Sequence, residues 1–126
     1  MTELDVQNII DGIFVGLRVD GLVHDNEKYD GDGQVWARVS IQHGKGKRIS
    51  LGDNPLYRYT GVCFVQVFVK PDIGSAGALE VSDAVTQLIR DKKINGLQFK
   101  VPQTVKVGEA NGWYQVNVIT EFYRED

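Results

Sequence analysis

The chain of 126 residues holds a single cysteine, Cys63, so no intramolecular disulfide can form and no thiolate cluster can hold zinc. That usage is typical of a reducing compartment, and the cytoplasm is the expected place of synthesis. Positive charge is not in excess either. Seventeen acidic against 14 basic side chains give a net charge of −3, which argues against nucleic acid or an anionic membrane as the main partner. No apolar run approaches the roughly 18 residues of a membrane span. The N-terminal MTELDVQNIIDGIF places acids where a secretory signal carries bases. The expectation is a chain neither exported by that route nor anchored. With 3 Pro and 14 Gly, no internal repeat and no Asn-x-Ser/Thr sequon, collagen-like and low-complexity architectures are excluded. What is present is 42% hydrophobic and 25% charged residues, the balance of one globular domain over residues 1–126 with one core.

Val6, Ile9, Ile10, Ile13, Phe14 and Leu17 recur at helical spacing, and Thr2 and Asp5 stand like a variant capping box, which predicts a helix over residues 3–18. The Asp-, Asn- and Gly-rich run from Asp20 to Gly33 predicts a loop with one short extended piece. Val35, Ala37, Val39 and Ile41 then alternate with Trp36, Arg38, Ser40 and Gln42, the period of a strand with one more polar face. HGKGKR, residues 43–48, reads as the basic tip of a hairpin whose return begins at Ile49–Leu51, before a GDNP turn at Gly52–Pro55. GVCFVQVFV, residues 61–69, is apolar nearly throughout and predicts a central strand covered on both faces. After a loop over Lys70–Gly77, residues Leu79, Val81, Ala84, Val85, Leu88 and Ile89 form one face of a second helix. Asn95-Gly96 is its expected stop. Leu97–Val107, interrupted at Pro102, and Trp113–Tyr123 read as two further strands. The order α-β-β-β-α-β-β implies an α+β two-layer domain: a mainly antiparallel sheet with two helices packed on it.

Motifs for chemistry are few. The glycines and cations of residues 44–48 do not meet the G-x-x-x-x-G-K-[ST] phosphate-loop pattern, and no helix follows them. Asp30 and Asp32 hint at calcium, but the ligand spacing and terminal Glu of an EF-hand loop are missing. Cys63 lies in the most apolar strand, where a thiol behaves as a small hydrophobe, and neither His24 nor His43 has a Cys at metal-ligand spacing. No catalytic, metal or cofactor residue is assigned. A protein interface is the stronger expectation, because Trp36, Tyr57, Tyr59, Trp113, Tyr114 and Tyr123 fall at strand ends. Contacts are expected on sheet edges and on two polar segments, 44–52 and 70–77. The candidates are Lys45, Lys47, Arg48, Tyr57, Arg58 and Tyr59 around the first segment and Lys70 and Asp72 in the second. The 20–33 loop is expected to be either solvated filler or a surface that changes conformation when a partner arrives, with Tyr29 its best anchor toward that partner. Shortening it between Asp25 and Gly31 is expected to leave the thermal transition nearly unchanged.

Several strings occur in a fixed order: Trp36-Ala37-Arg38-Val39-Ser40-Ile41, Ser50-Leu51-Gly52, Tyr59-Thr60-Gly61, Val65-Gln66-Val67-Phe68-Val69, and Gly112-Trp113-Tyr114-Gln115-Val116-Asn117-Val118 leading to Phe122. In that order and spacing around one central helix, the chain after residue 23 resembles the tail terminator, or tail completion, proteins of long-tailed bacteriophages and related prophages. The resemblance implies a small α+β subunit that forms a six-membered ring on the head-proximal end of the tail tube. There it would stop tube growth and offer a surface to the head's connector, while DNA passes through the lumen without being gripped. It implies virion localisation, assembly in the host cytoplasm, self, tube and connector as partners, and no cofactor. The free chain is expected to be monomeric or weakly associated. The competing expectations are a head-closure, neck or tube component and, in another class, a small-ligand enzyme or binding module, which a deep pocket with converging polar groups would indicate.

Overall fold

Thr2 opens the first helix, α1 (Glu3–Phe14), through the expected box: its hydroxyl accepts the Asp5 N–H at 3.1 Å, and the Asp5 carboxylate accepts the Thr2 N–H at 2.8 Å. In the computed structural model, which describes residues 1–24, 27–29, 31, 33–72 and 74–125, α1 stops four residues before the expected end. The Leu17 N–H turns back to the Phe14 carbonyl at 3.0 Å, so the chain leaves the helix axis while Leu17 stays in the core. Asp25, Asn26, Asp30 and Asp32, which the loop and calcium readings touched, and Ile73 of the 70–77 segment lie outside the described residues.

Seven strands follow: β1 (Gly21–His24), β2 (Val35–Arg48), β3 (Tyr57–Val69), then helix α2 (Gly74–Ile89), then β4 (Lys93–Ile94), β5 (Leu97–Phe99), β6 (Gln103–Ala110) and β7 (Trp113–Glu125). The short extended piece expected in the 20–33 loop is β1, which pairs with β2 in parallel. The other pairs are antiparallel, in the order β1-β2-β3-β7-β5-β4, with β6 continuing β5 along the same edge of β7. The break at residues 100–102 is the interruption expected at Pro102. Lys100 still bonds Glu121 and Thr120 across it.

The domain is α+β, with two helices and a mostly antiparallel sheet, but the order is α-β-β-β-α-β-β-β-β and the sheet curls into a half-barrel. The expected order and the expected two-layer packing are both corrected. Strands of 14, 13 and 13 residues accumulate right-handed twist along their length, and bulges at His43/Gly46 and Lys106/Gly108 add to it. On the inner face, Ala37, Val39, Cys63, Val65, Val67, Val69, Val116, Val118 and Phe122 meet Val6, Ile10 and Phe14 of α1 and Ala78, Val85 and Ile89 of α2.

Three local expectations are corrected. Ile49–Leu51 is not a strand. β2 instead runs through the glycines to Arg48, because a Cβ on Gly46 would stand 2.4 Å from the Tyr59 ring, so the glycine serves cross-strand contact rather than a turn. Asn95-Gly96, both at positive φ, forms the β4–β5 hairpin turn. The helix has already ended before Asp91, itself at φ 55°. The helix starts earlier than expected, at Gly74. Its deepest stripe is Ala78, Ser82, Val85 and Ile89, with the Ser82 hydroxyl donating to the Ala78 carbonyl at 2.8 Å. Val81 and Leu88 are only half-buried and Ala84 is exposed.

Candidate functional site

The nine expected interface residues fall into two groups at opposite ends of β3, a separation of about 40 Å for a thirteen-residue strand. The first group sits on an arm made of the ends of β2 and β3 and the loop 49–56 between them. None of residues 42–60 is buried, and Leu51 at the tip is 96% exposed. Internal bonds give the loop its shape: Ile49 N–H to the Leu56 carbonyl at 2.8 Å, and Leu56 N–H to the Ser50 hydroxyl at 2.6 Å. Arg48 braces it by donating to the carbonyls of Ser50 and Gly52 at 3.0 and 2.9 Å. Arg58 donates to the Glu125 carboxylate and lies 4.7 Å over the Tyr123 ring. Tyr59 packs under the Arg124 guanidinium at 4.4 Å. Lys45, Lys47 and Tyr57 are exposed.

The second group surrounds Trp36. The Tyr29 ring stacks on Trp36 at 5.0 Å, Trp36 stacks on Phe68 at 4.1 Å, and Trp113 meets Trp36 edge-on at 5.9 Å. Lys70 Nζ stands 5.5 Å over Trp113, the Arg38 guanidinium 5.3 Å over Trp36, and Asp72 is exposed in the turn before α2. The Tyr29 hydroxyl accepts the Gly33 N–H at 2.9 Å, and a Cβ on Gly21 would stand 2.3 Å from its ring. Tyr29 is therefore an anchor of its own loop, seated in a glycine-lined hollow. A deletion between Asp25 and Gly31 removes the ring stacked on Trp36, so a loss of stability is now the expected outcome.

Between the two groups runs the outer face of the sheet. The register puts Trp36, Phe68 and Gln115 in one row, Arg38, Gln66 and Asn117 in the next, then Ser40, Phe64 and Ile119, then Gln42, Val62 and Glu121. Val62, Phe64, Phe68 and Ile119 are only half-buried, and both helices pack on the other side. The expectation that residues 61–69 are covered on both faces is thus corrected. Phe64 and Ile119 are not among the expected contacts, although the near-continuous apolarity of residues 61–69 is a signal for the first, and Leu51 lies in the expected 44–52 segment without being singled out there.

His24 brings two acids together. Its Nε2 lies 2.8 Å from Asp11 of α1 and its Nδ1 2.5 Å from Glu27, and these bonds raise its pKa from the ordinary 6.5. A carboxylate on each ring nitrogen selects the doubly protonated imidazolium, which has no lone pair for a proton or a metal. Cys63 is buried in the inner face, and desolvation pushes its thiol up to about 12. His43 meets Phe122 edge-on at 6.5 Å. The structure does not bring Cys63 and an imidazole together as nucleophile and base.

No known family model matches the chain, and no curated protein matches it. Among solved structures, a chain with no descriptive name is similar in fold. It has a TM-score of 0.62 and 19% sequence identity, and the similarity covers 95% of each chain. That likeness shows the fold alone. No helix among the described residues is long and apolar enough to cross a membrane.

Proposed function

We propose that this chain is a structural subunit of a phage tail, a terminator that forms a six-membered ring on the head-proximal end of the tube, halts tube growth and receives the head's connector. The observation that carries the reading is the outer face of the sheet. The core is built on one side of the sheet, and the adjoining Val62, Phe64 and Ile119 stay half-buried on the other, which suits an assembly subunit that covers them with a neighbour. The strings that resemble terminators lie on β2, β3, β7 and the arm loop, the elements that build that face and its projection. Catalytic turnover is no part of the role, which needs surfaces rather than reacting groups. A net charge of −3 suits a lumen through which DNA moves, since phosphates find no general cationic attraction there. In this reading the chain assembles in the host cytoplasm and ends in the virion.

Electron microscopy of particles assembled with and without the protein tests this. Without it, tails of irregular length that fail to join heads are expected. Tails of normal length joined to heads would refute the role, and gold-labelled protein along the whole tube or on the head vertex would reassign it to a tube or head-closure component.

A further inference from the structure

Helix α2 is apolar over a wider arc than its core contact uses. Leu17, Val81, Ala84 and Leu88, with Gly16, Arg18, Glu80 and Gln87 at the rim, line an open groove of about 510 Å³ between α2 and the end of α1. That lies within the roughly 300–1,000 Å³ of hollows that bury a compact group. Elsewhere on the same chain the arm offers a matching projection, with Leu51 almost wholly exposed and Ile49, Leu56 and Tyr57 more than one-third exposed. We propose that the arm of one copy seats Leu51 and its apolar neighbours in the α1/α2 groove of the next.

The occupant follows from charge. The two helices carry Glu3, Asp5, Glu80 and Asp83, with Asp11 held by His24, and no Lys or Arg, while the arm carries Lys45, Lys47 and Arg48 against Asp53, with Arg58 paired to Glu125 of β7. At the groove itself the rim holds one acid, Glu80, and one base, Arg18. The arm brings cations for the first and Asp53 for the second. A copy cannot fill its own groove. Glu3 and Leu4 at the start of α1 share a hollow with Ile41 and His43 at the base of the arm, whereas Gly16–Arg18 just beyond the helix's other end wall the groove. The twelve-residue helix holds the two about 18 Å apart. The contact sets one patch against a different patch, and where each copy's arm reaches a new neighbour it is heterologous, an arrangement that forms a ring when its rotation closes. The contact stands on the arm and groove, and its closure into a ring rests on the terminator reading above.

Leu51→Asp spoils the arm and Ala84→Arg the groove, both at exposed positions that leave the core intact. In sedimentation velocity over a concentration series to millimolar, the wild type is expected to gain mass with concentration, and each variant to associate at least tenfold more weakly. An equimolar mixture of the two should form a dimer and nothing larger, since only one intact arm and one intact groove can meet in each pair. Unchanged thermal transitions would show that both variants are folded. A wild type that stays monomeric to millimolar, a folded variant that assembles like the wild type, or a mixture that yields no dimer would overturn the contact. Tail length reads the other proposal separately: a chain that pairs arm to groove yet leaves tails unaltered keeps this contact and loses the terminator role.

Discussion

His24 holds Asp11 of α1 and Glu27 beyond β1 on its two ring nitrogens, so one imidazolium ties the first helix to the segment after the first strand. Its pKa is raised on folding from 6.5. The stability it contributes is therefore complete below 6.5 and lost as pH rises through the higher folded value. At the acid end the Glu27 carboxyl, lowered from 4.5 by the same bonds, releases it again as pH falls through that lowered value. The melting-temperature difference between wild type and His24→Asn should be largest at about pH 5.5 and shrink steadily by about pH 9. A difference that grows with pH would contradict the pairing. Cys63 yields a second prediction, since burial holds its thiol protonated up to about 12. A thiol reagent such as a disulfide dye at pH 8 should leave native protein unlabelled and label it fully in denaturant, and rapid native labelling would mean the inner face opens. The sequence showed Cys63 as a core residue because its neighbours are apolar in both directions. It did not show the His24 pairing, because residues 11 and 24 meet only after α1 folds back beside β1.

At the scale of elements, local signals read well where they act locally. The Thr2–Asp5 box is a three-residue device, and β3 and β7 declare themselves by β-branched and aromatic runs. Signals with two meanings read badly. Glycines at 44 and 46 suit a turn or a strand that another chain segment approaches closely, and only the Thr60 carbonyl and hydroxyl and the Tyr59 ring across the ladder decide between them. Asn95-Gly96 can stop a helix or turn a hairpin, and the outcome depends on β5 finding β7. Apolar width on α2 was read as core when part of it lines the groove. The polar composition of the 20–33 segment is compatible with solvated filler or with a partner surface, and neither reading shows that the Tyr29 ring docks on Trp36 of its own chain. Tyr29→Ala should therefore cost about 1–2 kcal/mol of unfolding free energy, the loss of a half-buried stacked aromatic. Tyr29→Phe, which gives up only the hydroxyl's bond to Gly33, should cost about 0.5–1.5 kcal/mol at most. Chemical denaturation of the two variants checks this, and equal stability of Tyr29→Ala and wild type would show that the loop is undocked in solution.

For the whole molecule, charge is partly divided by position, with acids on the helices and cations on the arm, beside local pairs such as Arg58–Glu125 and His24–Asp11. Reversal of any arm cation looks equivalent in the sequence, but the structure separates them. Arg48 is committed to the carbonyls of its own loop, and Arg58 to Glu125 and the Tyr123 ring, so Arg48→Glu or Arg58→Glu disturbs the arm's shape as well as its charge. Lys45 and Lys47 are exposed on β2 and reach outward from it. The double variant Lys45→Glu/Lys47→Glu should keep its thermal transition within a few degrees of wild type, since exposed charges contribute about 0–1 kcal/mol each. Its assembly should nevertheless fail, because reversal sets like charges against the acidic helices of the neighbour. Salt sharpens the test. A contact guided by these cations weakens in the wild type as ionic strength rises and the Debye length shrinks toward about 3 Å at 1 M, while the same salt relieves repulsion in the double variant, so the two association curves should converge. Light scattering across a salt series measures both. Curves that stay parallel would assign the arm's effect to its apolar tip alone and leave its cations without a part in assembly.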